Sequence, residues 1–267
     1  MFAKLFDMIR KRGMSPDNVN LKVIIPSKGM DGLLVACLNS LYENIRNAAI
    51  SNFEVIVVDN GSEYPICIDK NSFNNFRLMR FDYPRSFSSA CNVIRNCKEG
   101  TDLLFLNNDV FLHPQVISQY LKISKKLNLG ICGSRLIYTD GTIQHCGIKF
   151  DEGERGPYHE FHRTKSILVP RQIKYYQAVT GACLFIKKEL FDDMSGFDEN
   201  YPFGYEDVDL CLRARERCVK ISCIQEYDSL HFGSFSNQRH DRHLESKYYF
   251  FKSWKGRYSI DGDVKDP

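Results

Sequence analysis

Three carboxylates stand where a chain can put them to chemical use. Asp109 ends the run Leu103–Asp109 (LLFLNND), in which four large apolar residues lead into two amides and an acid. Such a run reads as a strand buried on both faces. Its polar end then lies at the sheet edge where open α/β folds place ligands. A hard oxygen donor there suits a divalent cation, and a cation at that edge points to a phosphate-bearing molecule. Asn-Asn-Asp is also good turn chemistry, so this run alone leaves both readings open. The pattern recurs, however. Phe53–Val58 (FEVIVV) runs into Asp59-Asn60-Gly61-Ser62, and Leu21–Pro26 (LKVIIP) runs into Ser27-Lys28. In a parallel sheet these three polar ends share one edge, whereas independent turns have no reason to be polar in the same way.

The third carboxylate is Asp207. On a helical wheel of Tyr205–Arg217 (YEDVDLCLRARER), Val208, Leu210, Cys211, Leu212 and Ala214 form one apolar arc. Glu206, Asp209, Arg213, Glu216 and Arg217 lie opposite and are expected in solvent. Asp207 falls inside the apolar arc, where a carboxylate is costly unless paired or used. Acids in a first helical turn also complement the helix dipole, which accounts better for Glu206 and Asp209 than for Asp207. His231 follows the last strand in the run HFGSFS, in a loop of the kind that carries ligands. A lone histidine is more often a packing residue. His159 and His162 have a metal-binding spacing but no evident companion Cys or His.

These residues need elements to position them. Leu33, Leu34, Cys37, Leu38, Leu41 and Ile45 recur at helical spacing within Asp31–Ile50. Phe76–Phe81 is a short strand, Ser88–Cys97 a helix, and Pro114 opens a helix to Leu127. Strands alternating with helices imply right-handed βαβ units and a mostly parallel sheet. Neither a GxGxxG fingerprint nor a P-loop follows the first strand, where the sequence is PSKGMDG. The second half changes character. Ile131–Phe150 reads as short strands around Thr139-Asp140-Gly141, and Asp151–Lys165 as a mobile polar loop. Gln177–Lys187 and Val219–Ile224 read as strands, and Asp241–Trp254 as a closing helix.

Composition is that of an ordinary soluble globular chain, with 43% apolar and 26% charged residues among 267. A net charge of +3 is too small to imply nucleic acid. The ten cysteines show no CxxC spacing and are expected as reduced thiols in the cytosol. No stretch approaches the roughly 20 apolar residues of a membrane span, and no signal peptide is evident. Met1–Arg12 places Phe2, Leu5, Phe6 and Ile9 on one face and basic residues elsewhere. That suits an anionic membrane surface or a short packed helix. Gly13–Asn20 reads as a linker.

Taken in order, FEVIVVDNGS, RSFSSACN, GTDLLFLNND, AVTGACLFIKKELFDDMSGFDE, GYEDVDLCLR and HFGSFS resemble family 2 glycosyltransferases of the GT-A fold, and among them the rhamnosyltransferase-like members. The resemblance implies an α/β fold, a mostly parallel central sheet flanked by helices with a smaller mixed acceptor-side sheet. It implies a catalytic domain over 21–236, after an N-terminal segment over 1–20 and before a C-terminal helix and tail over 237–267. It further implies inverting transfer of one sugar from a UDP-, dTDP- or GDP-linked donor to a glycan or lipid-linked acceptor in surface polysaccharide assembly, with Mn²⁺ or Mg²⁺. On that resemblance Asp109 and His231 hold the metal. Pro26, Ser27, Asp59, Asn60, Asn107 and Asn108 meet the nucleotide sugar, with Asp59 reading the base. Arg85 and Lys28 approach the diphosphate. The catalytic pair is Glu206-Asp207, with Asp207 as base. The site is expected in the cytoplasm, with peripheral contact at the inner membrane face through the N-terminus or the aromatic, basic run KYYFFKSWKGRY. Two departures matter: Ser27-Lys28-Gly29 replaces the usual Thr-Tyr-Asn-like triplet, and Asn107 and Asn108 replace acids of a strict DxD motif. A sugar-nucleotide nucleotidyltransferase and a non-catalytic scaffold of the same fold are the alternatives.

Overall fold

The computed structural model describes residues 20–29, 31–69, 72–96, 102–151, 156–233 and 239–261. The expected N-terminal amphipathic segment and nearly all of the linker lie outside these residues, as does the Ser-Phe-Ser end of HFGSFS. In chain order the elements are β1 (Asn20–Ser27), α1 (Asp31–Asn47), β2 (Asn52–Asn60), β3 (Phe76–Phe81), α2 (Phe87–Cys91), β4 (Asp102–Leu106), β5 (Val110–Phe111), α3 (Val116–Leu127), β6 (Ile131–Ile137), β7 (Ile143–His145), β8 (Ile148–Phe150), β9 (Pro157–His159), β10 (Ile173–Tyr175), β11 (Cys183–Lys187), α4 (Lys188–Asp193), α5 (Glu206–Arg215), β12 (Ile221–His231) and α6 (Arg239–Trp254).

One ten-stranded mixed sheet runs in the order β10-β12-β6-β11-β4-β1-β2-β3, with β5 on β12 and β7 on β6; β8 and β9 form a small antiparallel sheet. The first half is the expected parallel part: β2 pairs β1 and β3, and β4 pairs β1, all parallel. Strand alternation sorts the apolar runs into two cores. Val23, Ile25, Val55, Val57, Leu104 and Leu106 pack against Leu34, Leu38 and Leu41 of α1 and Val116 and Tyr120 of α3. Ile24, Ile56, Val58, Leu103 and Phe105 face Leu210, Cys211 and Ala214 of α5 and Phe250 and Trp254 of α6. Burying each such Leu, Ile or Val stabilises by about 1.5–3 kcal/mol relative to exposure. The register sets Ser27 opposite Asp59, so the polar ends of β1 and β2 do meet at one edge.

The structure corrects several expected elements. The helix expected over Ser88–Cys97 is a short α2, capped by Ser86, followed by a 3₁₀ turn over Asn92–Asn96. Asn92 is committed elsewhere: its side chain receives the Phe197 amide (3.0 Å) and donates to the Phe197 carbonyl (2.9 Å). The strand expected over Gln177–Lys187 is regular only from Cys183, because residues 181–182 form a turn. The last strand is longer than expected, with a register shift against β6 between Ile224 and Ser229. The described part of the expected mobile loop is structured: β9 pairs β8, and buried Glu160 accepts from Lys174 (3.0 Å), Lys149 and the Tyr176 hydroxyl. The nine described cysteines are free thiols, seven of them buried. No described helix is long and apolar enough to cross a membrane.

Candidate active site

The polar ends of β1, β2 and β4 are knitted into one edge. Asn108 Nδ2 donates to Ser27 Oγ at 2.8 Å, and the Gly29 amide donates to Ser62 Oγ at 2.8 Å. Asp59 is fully buried and holds the loop beyond β2, accepting from the amides of Ser62 (3.0 Å) and Ile66 (3.2 Å) and from Arg80. Burial opposes its charge, but the Ser62 and Ile66 hydrogen bonds and Arg80 outweigh burial and hold the carboxyl below its usual range. Both of its oxygens accept hydrogen bonds from this chain, so Asp59 shapes the loop at the edge. Asn60 bonds the Arg85 backbone in both directions (2.9 and 2.8 Å). The Arg85 guanidinium lies over the Phe81 ring at 4.3 Å and lines a cavity of about 600 Å³ with Arg95, Asp192 and Glu199. Half-buried Pro26 sits opposite Val58, and Lys28 is exposed.

Beyond β4 the chain turns at Asn108-Asp109, and β5 pairs the end of β12 with His231 opposite Val110. This brings together the two expected metal ligands, 122 positions apart in sequence: His231 Nε2 lies 3.1 Å from Asp109 Oδ1. Asn107 Nδ2 lies 3.3 Å from the same nitrogen. His231 Nδ1 faces Gln144 Oε1, an acceptor, so Nδ1 carries a ring hydrogen and Nε2 is the nitrogen turned toward the carboxylate. An imidazole nitrogen beside a carboxylate oxygen, with an outer hydrogen bond fixing the ring, is a pair of ligand types that fits a divalent cation. Among the described residues no three His, Cys, Asp or Glu side chains are grouped to hold a metal by themselves. His159 and His162 are not brought together as a chelating pair. His159 Nδ1 faces His145 Nδ1 at 2.8 Å, and His162 Nε2 lies 3.1 Å from the Tyr138 hydroxyl.

Asp207 stands in the first turn of α5, after a tight entry in which Gly204 and Tyr205 both take positive φ (80° and 73°). It is half-buried; Oδ2 accepts from the Gly181 amide at 2.7 Å and Oδ1 from the Val208 amide at 2.8 Å. Gly181 is next to Ala182, whose carbonyl accepts from the Asn107 amide at 2.9 Å. One short turn thus separates the base candidate from the Asn107–Asp109 cluster. Burial pushes the Asp207 carboxyl up, and the Gly181 and Val208 amides partly restore it. Glu206 is pushed up by burial and then by the charge of Asp207. The wheel's placement of Glu206 and Asp209 in solvent is wrong: they are 8% and 5% exposed. Asp209 is covered by α6, whose Trp254 Nε1 donates to it at 2.8 Å, and is paired within α5 by Arg213 Nε at 2.7 Å.

The profile described as glycosyl transferase family 2 matches residues 22–192, more than half of the chain. The chain belongs to glycosyl transferase family 2. Among curated relatives it is 28% identical over 251 residues to the O-antigen biosynthesis protein RfbC of Myxococcus xanthus, covering 88% of this chain and 19% of that protein. It is 25% identical over 242 residues to the low-salt glycan biosynthesis hexosyltransferase Agl10 of Haloferax volcanii, covering 85% of this chain and 72% of that one. An uncharacterised protein of Sinorhizobium fredii, y4gI, is 30% identical over 206 residues, covering 73% of this chain and 22% of its own length. The chain therefore spans about a fifth of two of these three relatives. Among solved structures, GalNAc-T7 with UDP, GalNAc and Mn²⁺ aligns at a TM-score of 0.67 and 13% identity, over 91% of this chain and 49% of that one. Staphylococcus aureus TarS aligns at 0.54 and 14%, over 90% and 74%. The family 2 chain accordingly has the GT-A fold, as its sequence resemblance implied.

Sequence reasoning missed three contributors to this family 2 site: Gln144, His145 and the Thr180-Gly181 turn. A glycine inside an otherwise apolar strand pattern marks a close backbone approach. Gly181 is such a case, since a Cβ there would lie 3.3 Å from the Asp207 Cβ. Nothing in the short run Ile143–His145 signals that its side chains reach the ends of other elements.

Proposed function

We propose that this chain transfers one sugar from a nucleotide-diphospho-sugar to a hydroxyl of a glycan or lipid-linked acceptor in surface polysaccharide assembly, inverting the anomeric configuration. The carrying observation is that His231 lies against Asp109, and that the turn at 181–182 bonds Asn107 on one side and Asp207 on the other. The nucleotide would lie along the Ser27, Asn60 and Asn108 edge, with the loop held by Asp59 beneath it. Asp109 and His231 would hold Mn²⁺ or Mg²⁺, which when bound offsets the charge that builds on the leaving diphosphate. Asp207 takes the proton of the acceptor hydroxyl as its oxygen attacks the anomeric carbon and the sugar–phosphate bond breaks, the electron pair leaving with the nucleoside diphosphate. No enzyme nucleophile is needed for that single displacement. Glu206, driven toward its neutral form, keeps a second negative charge from crowding the base. Names of similar proteins support the reading: two concern glycan or O-antigen biosynthesis, and the solved structures hold UDP with GalNAc and Mn²⁺, or UDP-GlcNAc. Exposed Leu244 and Tyr248 beside Arg242 and Lys252 on α6 suit contact with an anionic membrane bearing a lipid-linked acceptor.

The test is donor hydrolysis by purified protein across UDP-, dTDP- and GDP-sugars, with Mn²⁺, Mg²⁺ or EDTA. Turnover of one donor only with metal is expected. Metal-independent turnover would remove the role given to Asp109 and His231. No turnover, and no nucleotide-induced rise in Tm, would favour a binding scaffold.

A further inference from the structure

The short strand β7 ends in two side chains that the mechanism above does not use. Gln144 Oε1 receives the Nδ1 hydrogen of His231. His145 is 1% exposed; its Nε2 accepts from the Thr180 amide at 3.4 Å, and its Nδ1 faces His159 Nδ1 at 2.8 Å. Neighbours in a strand point to opposite faces, so one dipeptide reaches two separate elements. One side chain meets the end of β12, and the other meets the turn that holds Asp207.

We propose that Gln144 and His145 are a positioning pair that sets the metal ligand and the base of this site from a single strand. The inference rests on the reading of Asp109–His231 as metal ligands and Asp207 as base. Donor and acceptor counting assigns the Nδ1 of each ring. Gln144 offers His231 an oxygen, so Nδ1 carries a hydrogen and Nε2 is turned to Asp109. Thr180 offers His145 an N–H, so the His145 hydrogen also sits on Nδ1 and is donated to His159. His145 thereby pins the amide of Thr180, and the next amide, that of Gly181, is aimed at Asp207 Oδ2 at 2.7 Å. The outer end of the chain is anchored as well, because Glu160 beside His159 binds Lys149, Lys174 and Tyr176. An outer hydrogen bond to a ligating histidine is worth roughly 10- to 100-fold in metal affinity. A base displaced by about 1 Å costs roughly 100-fold in rate.

The two arms separate experimentally. Mn²⁺ binding is read by electron paramagnetic resonance with UDP, dTDP or GDP present, and kcat by hydrolysis of the active donor. Gln144→Leu is expected to weaken Mn²⁺ roughly 10- to 100-fold, while Gln144→Glu, which keeps an acceptor, stays within about threefold of wild type. His145→Leu is expected to leave Mn²⁺ affinity within about threefold and lower kcat roughly 10- to 100-fold at little-changed KM. His145→Gln, whose amide oxygen replaces Nε2, restores most of that loss. Long-range ¹H–¹⁵N NMR of the wild type is expected to show both His145 and His231 as the Nδ1–H tautomer, and it does not depend on any variant folding. The Nε2–H form of either ring overturns the proposal, as do folded leucine variants that match wild type in both readouts, or conservative variants as impaired as the leucines. Asp109→Asn and Asp207→Asn are measured alongside. If those two retain wild-type Mn²⁺ binding and turnover, the site assignment itself fails, whatever β7 does.

Discussion

The two halves of the candidate site are built differently. The edge formed by β1, β2 and β4 comes from parallel strands whose ends are brought level by register, and each contributes a contiguous polar cluster such as Asp59-Asn60-Gly61-Ser62 or Asn107-Asn108-Asp109. The other half is assembled from single side chains far apart in sequence. Gln144 meets His231 across 87 positions, and Gly181 meets Asp207 across 26. Parallel pairing makes an edge from local pattern, whereas the other half depends on tertiary packing around one turn. Damage to the edge should therefore appear as lost stability and nucleotide binding, and damage to the other half as lost chemistry.

Asp207→Asn should have the largest effect and sharpen that contrast. Turnover should fall roughly 10²- to 10⁴-fold, while the nucleotide-induced rise in Tm stays at the wild-type value. A comparable loss of nucleotide binding would break the separation. Next is Arg80→Leu on the edge, which leaves buried Asp59 without its cation. A fully buried pair so broken costs about 3–5 kcal/mol; Arg80 is 35% exposed, so about 2 kcal/mol is expected in urea melts at pH 7. The sign with pH is fixed. Asp59 is held below its unfolded value, so its stabilisation is present above the usual Asp range near pH 4 and is lost as pH falls below it. Wild type and variant should therefore converge toward pH 2. Smallest is Trp254→Phe, which removes one donor from Asp209 and should cost about 1 kcal/mol. Tyr201 and Arg213 still reach that carboxylate.

Legibility in the sequence followed the same division. FEVIVV and LLFLNND announce buried strands with polar ends because a fully buried strand has no polar alternation to blur it. Asp207 stood out as a candidate because it violates an apolar arc. The same wheel failed for Glu206 and Asp209, since a wheel shows which residues share a face but not that α6 will cover the polar one. The polar end of β2 at Asp59 was recognisable, yet the engagement of Asp59 by Arg80 depends on β3 pairing β2. Gln144 and His145 carried no local signal, because their roles exist only once β12 and the 180–182 turn are beside them.

The single displacement proposed for Asp207 is read out by the anomeric configuration of the released sugar. One-dimensional ¹H NMR at the earliest times of donor hydrolysis, before mutarotation, reads that configuration. Inversion relative to the donor is predicted. A product with the donor's own configuration would contradict the claim, because it requires a second displacement or a front-face path for which Asp207 is not the base.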